Sequence, residues 1–303
     1  MTTMEPTPFP VEASDGTRLA GYRWCAQEPA RGVVVIAHGL GEHALRYAHL
    51  AAALTGAGLD VVAADHRGHG ATAATDAELG SFGPGGWQAV VEDFGRVVER
   101  AAAQRPGRPV VVLGHSLGSF LLQTYLLDRS DRVAGAVLSG SAALDEVAVL
   151  LDPEVELDLA AFNAPFQPAR TDFDWLSRHP AQVDAYINDP RCGFGLDPAG
   201  VRSLKAAAAR TAEPEALAGL RRGLPVYILS GTDDPLHAGL AWLEKLVARY
   251  RDAGLDVTAR YYDGGRHEMF NETNRDEVVA ELVAWLNRLP ALSQASTSPA
   301  TSS

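Results

Sequence analysis

A chain of 303 residues, 47% apolar and 21% charged, can bury a large core, which excludes wholesale disorder. Its 26 basic and 38 acidic residues leave a net charge of −12, which argues against a nucleic-acid partner or an anionic membrane surface. No run approaches the roughly 18 apolar residues of a membrane span, and Met1–Pro10 lack the basic start and apolar stretch of a secretory signal. Cys25 and Cys192 have neither CxxC spacing nor a third partner, so neither a disulfide framework nor a zinc site is expected. These features predict a soluble, cytoplasmic protein, monomer or homodimer, with no metal, no cofactor and no stable membrane insertion.

In chain order, a flexible N-terminus over 1–10 is expected to give way to a β-hairpin, Val11–Ala13 and Arg18–Trp24 around the Asp15-Gly16 turn. Three apolar, β-branched runs follow, Val33–Ala37, Leu59–Ala64 and Val110–Leu113, each reading as a strand buried on both faces. Helical stretches lie between and after them. Tyr47–Thr55 is rich in alanine and leucine, and Trp87–Ala103 spaces Val90, Val91, Phe94, Val97 and Val98 for one helical face. Leu117–Leu127 follows the third run at once, and Val133–Leu138 is the next strand. Strand–helix alternation of this kind implies right-handed crossovers and a mostly parallel sheet. It stops between about Leu144 and Leu220, a stretch of helical pieces and prolines without β runs. Strand Val226–Ser230, helix Leu240–Arg251, strand Val257–Tyr262 and helix Arg275–Leu289 then complete the pattern. The length prior of about 150 residues per domain suggests two domains. The pattern instead predicts one α/β core over 11–143 and 221–290, a helical lid over 144–220, and a disordered Ser/Thr/Ala/Pro tail over 291–303.

The chemistry is read from Gly114-His115-Ser116-Leu117-Gly118, between a strand and a helix. That is the context a GxSxG nucleophile elbow requires, since small residues let the chain turn sharply enough to present Ser116 above the sheet. The plainer reading is a serine capping a buried helix. A nucleophilic serine needs a base and an orienting acid, in the chain order Ser, acid, His. His267, after the last strand, is the expected base; His237 lies before a helix, and His179 falls in the lid. The loop Gly231-Thr232-Asp233-Asp234-Pro235 offers two acids, of which Asp234 fits a Gly-x-x-Asp pattern and Asp233 remains the alternative, with Asp263 behind both. Two backbone donors are needed for a developing oxyanion. The N–H of Leu117 is one, and Leu40, in the loop His38-Gly39-Leu40-Gly41-Glu42-His43, is the expected second. His66 and His69 superficially suggest metal ligands, yet read as a structural loop, and His115 reads as packed beneath the elbow.

The strings HGLGEHALRY (38–47), DHRGHGAT (65–72), GHSLGS (114–119), GTDDPL (231–236) and RHEMFNE (266–272) resemble, in order and register, the monoacylglycerol-lipase-like α/β-hydrolases, a group overlapping serine aminopeptidase S33 and lysophospholipases. The resemblance runs from Val11 to Leu289. It implies an α/β-hydrolase fold with an inserted helical cap, a Ser116–Asp234–His267 triad, and Leu40 and Leu117 as oxyanion donors. It also implies that Glu42 and Arg46 lie near the pocket for the alcohol part of an ester, against the plainer reading of a buried ion pair that shapes the loop. Ser119 departs from the family, where many members have glycine. The peptidase string HGGPG is absent, and epoxide hydrolases and dehalogenases would carry aspartate at the elbow.

The lid's front, Ser141–Ala169, has six acids (Asp145, Glu146, Asp152, Glu154, Glu156, Asp158) and no Lys or Arg. Interleaved Leu144, Val147, Leu150, Leu151, Leu157, Leu159, Phe162 and Phe166 predict an acidic outer face over an apolar acyl pocket. Such a face should dock weakly on anionic lipid. The expected partner is a small ester. The expected activity is a serine esterase on monoacylglycerols or similar short-to-medium esters, with a specialised ester or amide hydrolase and a non-catalytic ligand-binding protein as alternatives.

Overall fold

The computed structural model describes residues 5–27 and 29–295. The chain opens with β1 (Thr7–Pro8), β2 (Val11–Glu12), β3 (Arg18–Leu19) and β4 (Gly21–Trp24). The Asp15-Gly16 turn does close a hairpin, but only between β2 and β3. The expected single strand Arg18–Trp24 breaks at Ala20, and β4 leaves the hairpin to join the main sheet beside the strand Leu59–Ala64. Part of the expected flexible start is also ordered, since β1 pairs antiparallel with β4 and Phe9 is buried. Residues 1–4 lie outside the described residues.

The main sheet comes from β5 (Gly32–Ala37), β6 (Leu59–Ala64), β7 (Val110–His115), β8 (Gly135–Ser139), β9 (Pro225–Gly231) and β10 (Asp256–Tyr262). With β1 and β4 it has eight strands in the order β1-β4-β6-β5-β7-β8-β9-β10, parallel from β6 to β10. Every residue of β5, β6, β7 and β8 is buried, because helices cover both faces. Val33, Val35 and Ala37 face one core layer; Val34 and Ile36 face the other. On the first face pack α2 (Gly86–Gln104) and α3 (Leu117–Arg129); on the second, α1 (Ala48–Gly56). Removing one such valine or leucine from water contributes about 1.5–3 kcal/mol, so the doubly buried strands anchor the fold.

Between β8 and β9 the described residues contain no strand. They form α4 (Leu144–Leu150), α5 (Pro180–Asn188), α6 (Pro198–Ala208) and α7 (Pro214–Ala218), joined by short helical turns. Prolines open α5, α6 and α7, where the missing N–H costs nothing. After β9, α8 (Ala241–Asp252) joins the first face and α9 (Arg275–Arg288) the second. The chain then forms α10 (Pro290–Ala295), with Leu292 fully buried, where sequence composition suggested a disordered tail. The rest of that tail lies outside the described residues. This is the α/β-hydrolase architecture with a helical cap.

Candidate active site

The candidate nucleophile lies where β7 turns into α3. Ser116 has φ 52° and ψ −119°, a backbone conformation that L-residues rarely adopt. Two glycines make this turn possible. A Cβ on Gly114 would lie 2.3 Å from the Gly118 carbonyl oxygen, and one on Gly118 would lie 2.1 Å from that of Ala37. The Ser116 N–H donates to the Ser139 carbonyl at 2.9 Å, tying the elbow to β8. Ser119, which departs from the glycine expected there, fits by hydrogen bonding: its hydroxyl donates to the Ser116 carbonyl at 2.6 Å and accepts from the Ser141 hydroxyl at 2.8 Å.

Two other expected residues meet at the ends of β9 and β10. His267 Nδ1 donates to Asp234 Oδ2 at 2.8 Å, and both side chains are almost fully buried. Asp234 also accepts from the Leu236 N–H at 2.9 Å, which fixes the carboxylate at the start of a helical turn. With Nδ1 so engaged, the other ring nitrogen, Nε2, is left to face elsewhere. Burial alone would push the His267 pKa down; the Asp234 carboxylate outweighs it, so the net shift is upward. Burial likewise pushes Asp234 up, and His267 outweighs it, leaving the carboxyl below its ordinary value. The neighbouring acid is different: Asp233 is exposed and Asp263 is exposed. His237 is buried with both ring nitrogens engaged, at 2.8 Å to the Gly231 carbonyl and 2.9 Å to the Leu240 N–H. His179 is half-buried at the start of α5.

Ser116 and His267 open onto one cavity. Leu40 and Leu117 line it beside the serine, and among the described residues the Leu40 N–H has no hydrogen-bond partner. As the first helical residue, Leu117 has no acceptor within its own helix. Most of the remaining wall is apolar and comes largely from the cap, including Val147, Leu151, Leu157, Leu159, Phe162 and Leu204. Leu150, expected on this inner face, points outward instead and is 67% exposed. His115 lies under the elbow with its ring centroid 4.8 Å from that of His267, and burial pulls its pKa down to about 4.

Glu42 and Arg46 form the ion pair that the plainer reading foresaw, with Nη1 to Oε2 at 2.6 Å. Glu42 Oε1 also accepts from the Gly39 N–H at 2.6 Å and from the Tyr47 hydroxyl at 2.8 Å. Glu42 lines the main cavity; Arg46 lines a smaller adjoining one. Sequence reasoning missed Glu268, whose carboxylate takes both Arg46 Nη1 at 2.6 Å and Nη2 at 2.8 Å. It lines both cavities and ties the loop of His267 to the loop of Leu40. Its place directly after the histidine was the available signal. The cap grips the same loop, since the N–H groups of His267 and Glu268 donate to the carbonyls of Trp175 and Leu176 at 3.3 and 2.7 Å. The cap also reaches the Leu40 loop, where the Gly193 N–H donates to the Gly41 carbonyl at 3.0 Å.

Among the described residues His43, Asp189 and Cys192 bring ligand atoms within 4.8 Å of one another. Asp189 is already engaged there by His43 and Arg191, and burial pushes the Cys192 thiol up to about 12, so the set is poorly suited to a metal. Cys25 and Cys192 are both free thiols. His66 and His69 pack with His38, their ring centroids 4.0 and 5.2 Å from it, in a buried cluster of neutral imidazoles.

A mostly parallel sheet, an inserted helical cap and a serine at a strand–helix elbow define an α/β-hydrolase. Residues 28–274 match the family described as serine aminopeptidase, S33, and the chain belongs to that family. It is 35% identical over 274 residues to the monoacylglycerol lipase of Mycolicibacterium smegmatis, covering 89% of this chain and 93% of that protein. It is 29% identical over 301 residues to the monoglyceride lipase of Homo sapiens, covering 94% and 92%. Its structure resembles a thermostable carboxyl esterase from Bacillus coagulans in complex with glycerol, with a TM-score of 0.84, 26% identity, and 95% and 99% coverage. The chain is a monoacylglycerol-lipase-like hydrolase. Among the described residues no helix is long and apolar enough to cross a membrane.

Proposed function

We propose that the chain is a serine carboxylic-ester hydrolase that cleaves monoacylglycerols or similar short-to-medium esters. The observation that carries this reading is one apolar cavity shared by the strained Ser116 and the Asp234-bonded His267. Ser116 Oγ attacks the ester carbonyl while His267 Nε2 takes its proton. Asp234 holds the ring in the Nδ1–H form and stabilises the imidazolium as it develops. The carbonyl oxygen, now negative, receives the N–H groups of Leu40 and Leu117. The tetrahedral intermediate collapses, His267 protonates the departing alcohol, and the acyl group remains on Ser116. Water, deprotonated by His267, then releases the acid and restores the serine.

Substrate choice is assigned to the cap, residues 144–220, whose leucines and phenylalanine line the acyl side of the cavity. The relatives' activities, a monoacylglycerol lipase and a monoglyceride lipase, support an acylglycerol over a peptide. The test pairs Ser116→Ala with a panel of monoacylglycerols of graded chain length, aromatic monoesters and lactones, ranked by kcat/KM. Ser116→Ala should lose at least about 10⁴-fold in kcat. Full retention of activity by that variant would refute the mechanism, and an aromatic ester or lactone ranked first would refute the substrate class.

A further inference from the structure

We propose that His38, held in one tautomer by His66, is a positioning residue that fixes the orientation of the Leu40 peptide toward the nascent oxyanion. The inference rests on the oxyanion role proposed above for Leu40. It assigns a task to the motif Asp65-His66-Arg67-Gly68-His69, which the hydrolytic mechanism leaves unused.

Two successive peptide units lead from β5 into the oxyanion loop, and they carry four polar atoms. In the first, the His38 carbonyl accepts from His66 Nε2–H at 3.1 Å, and the Gly39 N–H donates to Glu42 Oε1 at 2.6 Å. In the second, the Gly39 carbonyl accepts from His38 Nδ1–H at 2.8 Å. Three of the four atoms are thus held. The fourth, the Leu40 N–H, has no partner among the described residues and belongs to a residue lining the cavity. A peptide unit is planar and trans, so its N–H points opposite to its C=O. Pinning the Gly39 carbonyl onto the His38 ring therefore aims the Leu40 N–H the other way. A flipped peptide would instead present a carbonyl oxygen to the developing negative charge.

The tautomer is set from outside the loop. The backbone N–H of His66 donates to His38 Nε2 at 3.0 Å, so that nitrogen must carry a lone pair and the proton must reside on Nδ1. His66 thus clasps His38 twice, backbone to ring and ring to backbone. The clasp forms because β5 and β6 are parallel neighbours whose C-terminal loops emerge side by side. The His38 ring is fully buried, so water does not compete for either nitrogen.

The test uses His38→Asn, whose amide can donate from the place of Nδ1, against His38→Gln and His38→Leu, which cannot. His38→Gln and His38→Leu should lose about 10²-fold in kcat with KM changed by less than about 3-fold, as when one oxyanion donor is removed. Affinity for a trifluoromethyl ketone, which forms a tetrahedral oxyanion on the serine, should fall by the same factor. His38→Asn should recover most of both. Wild-type kcat in His38→Gln, or equal impairment in His38→Asn and His38→Gln, would overturn the proposal. Should these variants fail to fold, ¹⁵N shifts of the His38 imidazole in the intact enzyme still decide it: the Nδ1–H form is expected, and the Nε2–H form overturns it. Activity surviving in Ser116→Ala would instead remove the underlying reading, whatever the His38 variants do.

Discussion

At the scale of single residues, the site is organised by groups whose charge states are forced by their neighbours. His267 is the instructive case. Burial disfavours its protonation, while the adjacent Asp234 carboxylate favours it and prevails, so its pKa lies above the ordinary imidazole value. A base works in its neutral form. The rate should therefore fall as pH drops through that raised pKa, giving an acid limb in kcat/KM above pH ~6.5. Asp234→Asn removes the attraction that raised it, so the limb should move to lower pH while the plateau drops about 10³–10⁴-fold. A pH profile with a soluble ester reads both effects, and an unmoved limb would contradict the assigned partnership. The choice between Asp233 and Asp234 was only half legible in the sequence, because adjacent side chains diverge in ways a loop's composition does not reveal. Glu268 left only a weak signal, for a different reason. A carboxylate beside a histidine ordinarily reads as solvated, and only the fold brings Arg46 to it.

The elements explain which parts of the architecture the sequence disclosed. Strands β5, β6 and β7 announce themselves because burial on both faces demands unbroken apolar runs. β1, two residues long, is too short to show any periodicity, and it is held by the strand beside it. β10 lies at the sheet edge and alternates exposed with half-buried residues, yet its β-branched and aromatic content still marked it. α10 escaped notice because a single leucine among Pro, Ala, Ser and Gln leaves no pattern. The elbow is where element geometry and chemistry are inseparable. Gly118→Ala would force a methyl group against the Ala37 carbonyl and push α3 away from β5. That shift should lower the urea midpoint and abolish ester hydrolysis together, since Leu117 moves with the helix. An active, undiminished Gly118→Ala enzyme would show that the close approach is dispensable.

Across the whole molecule, the cap proves less acidic on its outer face than its composition suggests. Asp145 pairs with Arg249 of α8 at 2.8 Å and Glu146 pairs with Lys245, so two of its six front acids fasten cap to core. Its apolar side forms about half of the cavity wall, and Val147 projects there from α4. Val147→Trp should shorten the acyl space. Its kcat/KM for long-chain esters is expected to fall at least about 10-fold more than for short ones, since the added bulk competes only with the chain end. Uniform loss across chain lengths would place the acyl group elsewhere. The hydrogen bonds from the His267 and Glu268 N–H groups to Trp175 and Leu176, and from Gly193 to Gly41, carry a consequence for engineering. A graft that exchanges the entire cap for another enzyme's would also exchange backbone acceptors and donors that shape the catalytic loops. Chimeras cut inside the cap, keeping 174–177 and 193 while replacing the stretch around 147–166, are the ones expected to change specificity without losing the catalyst.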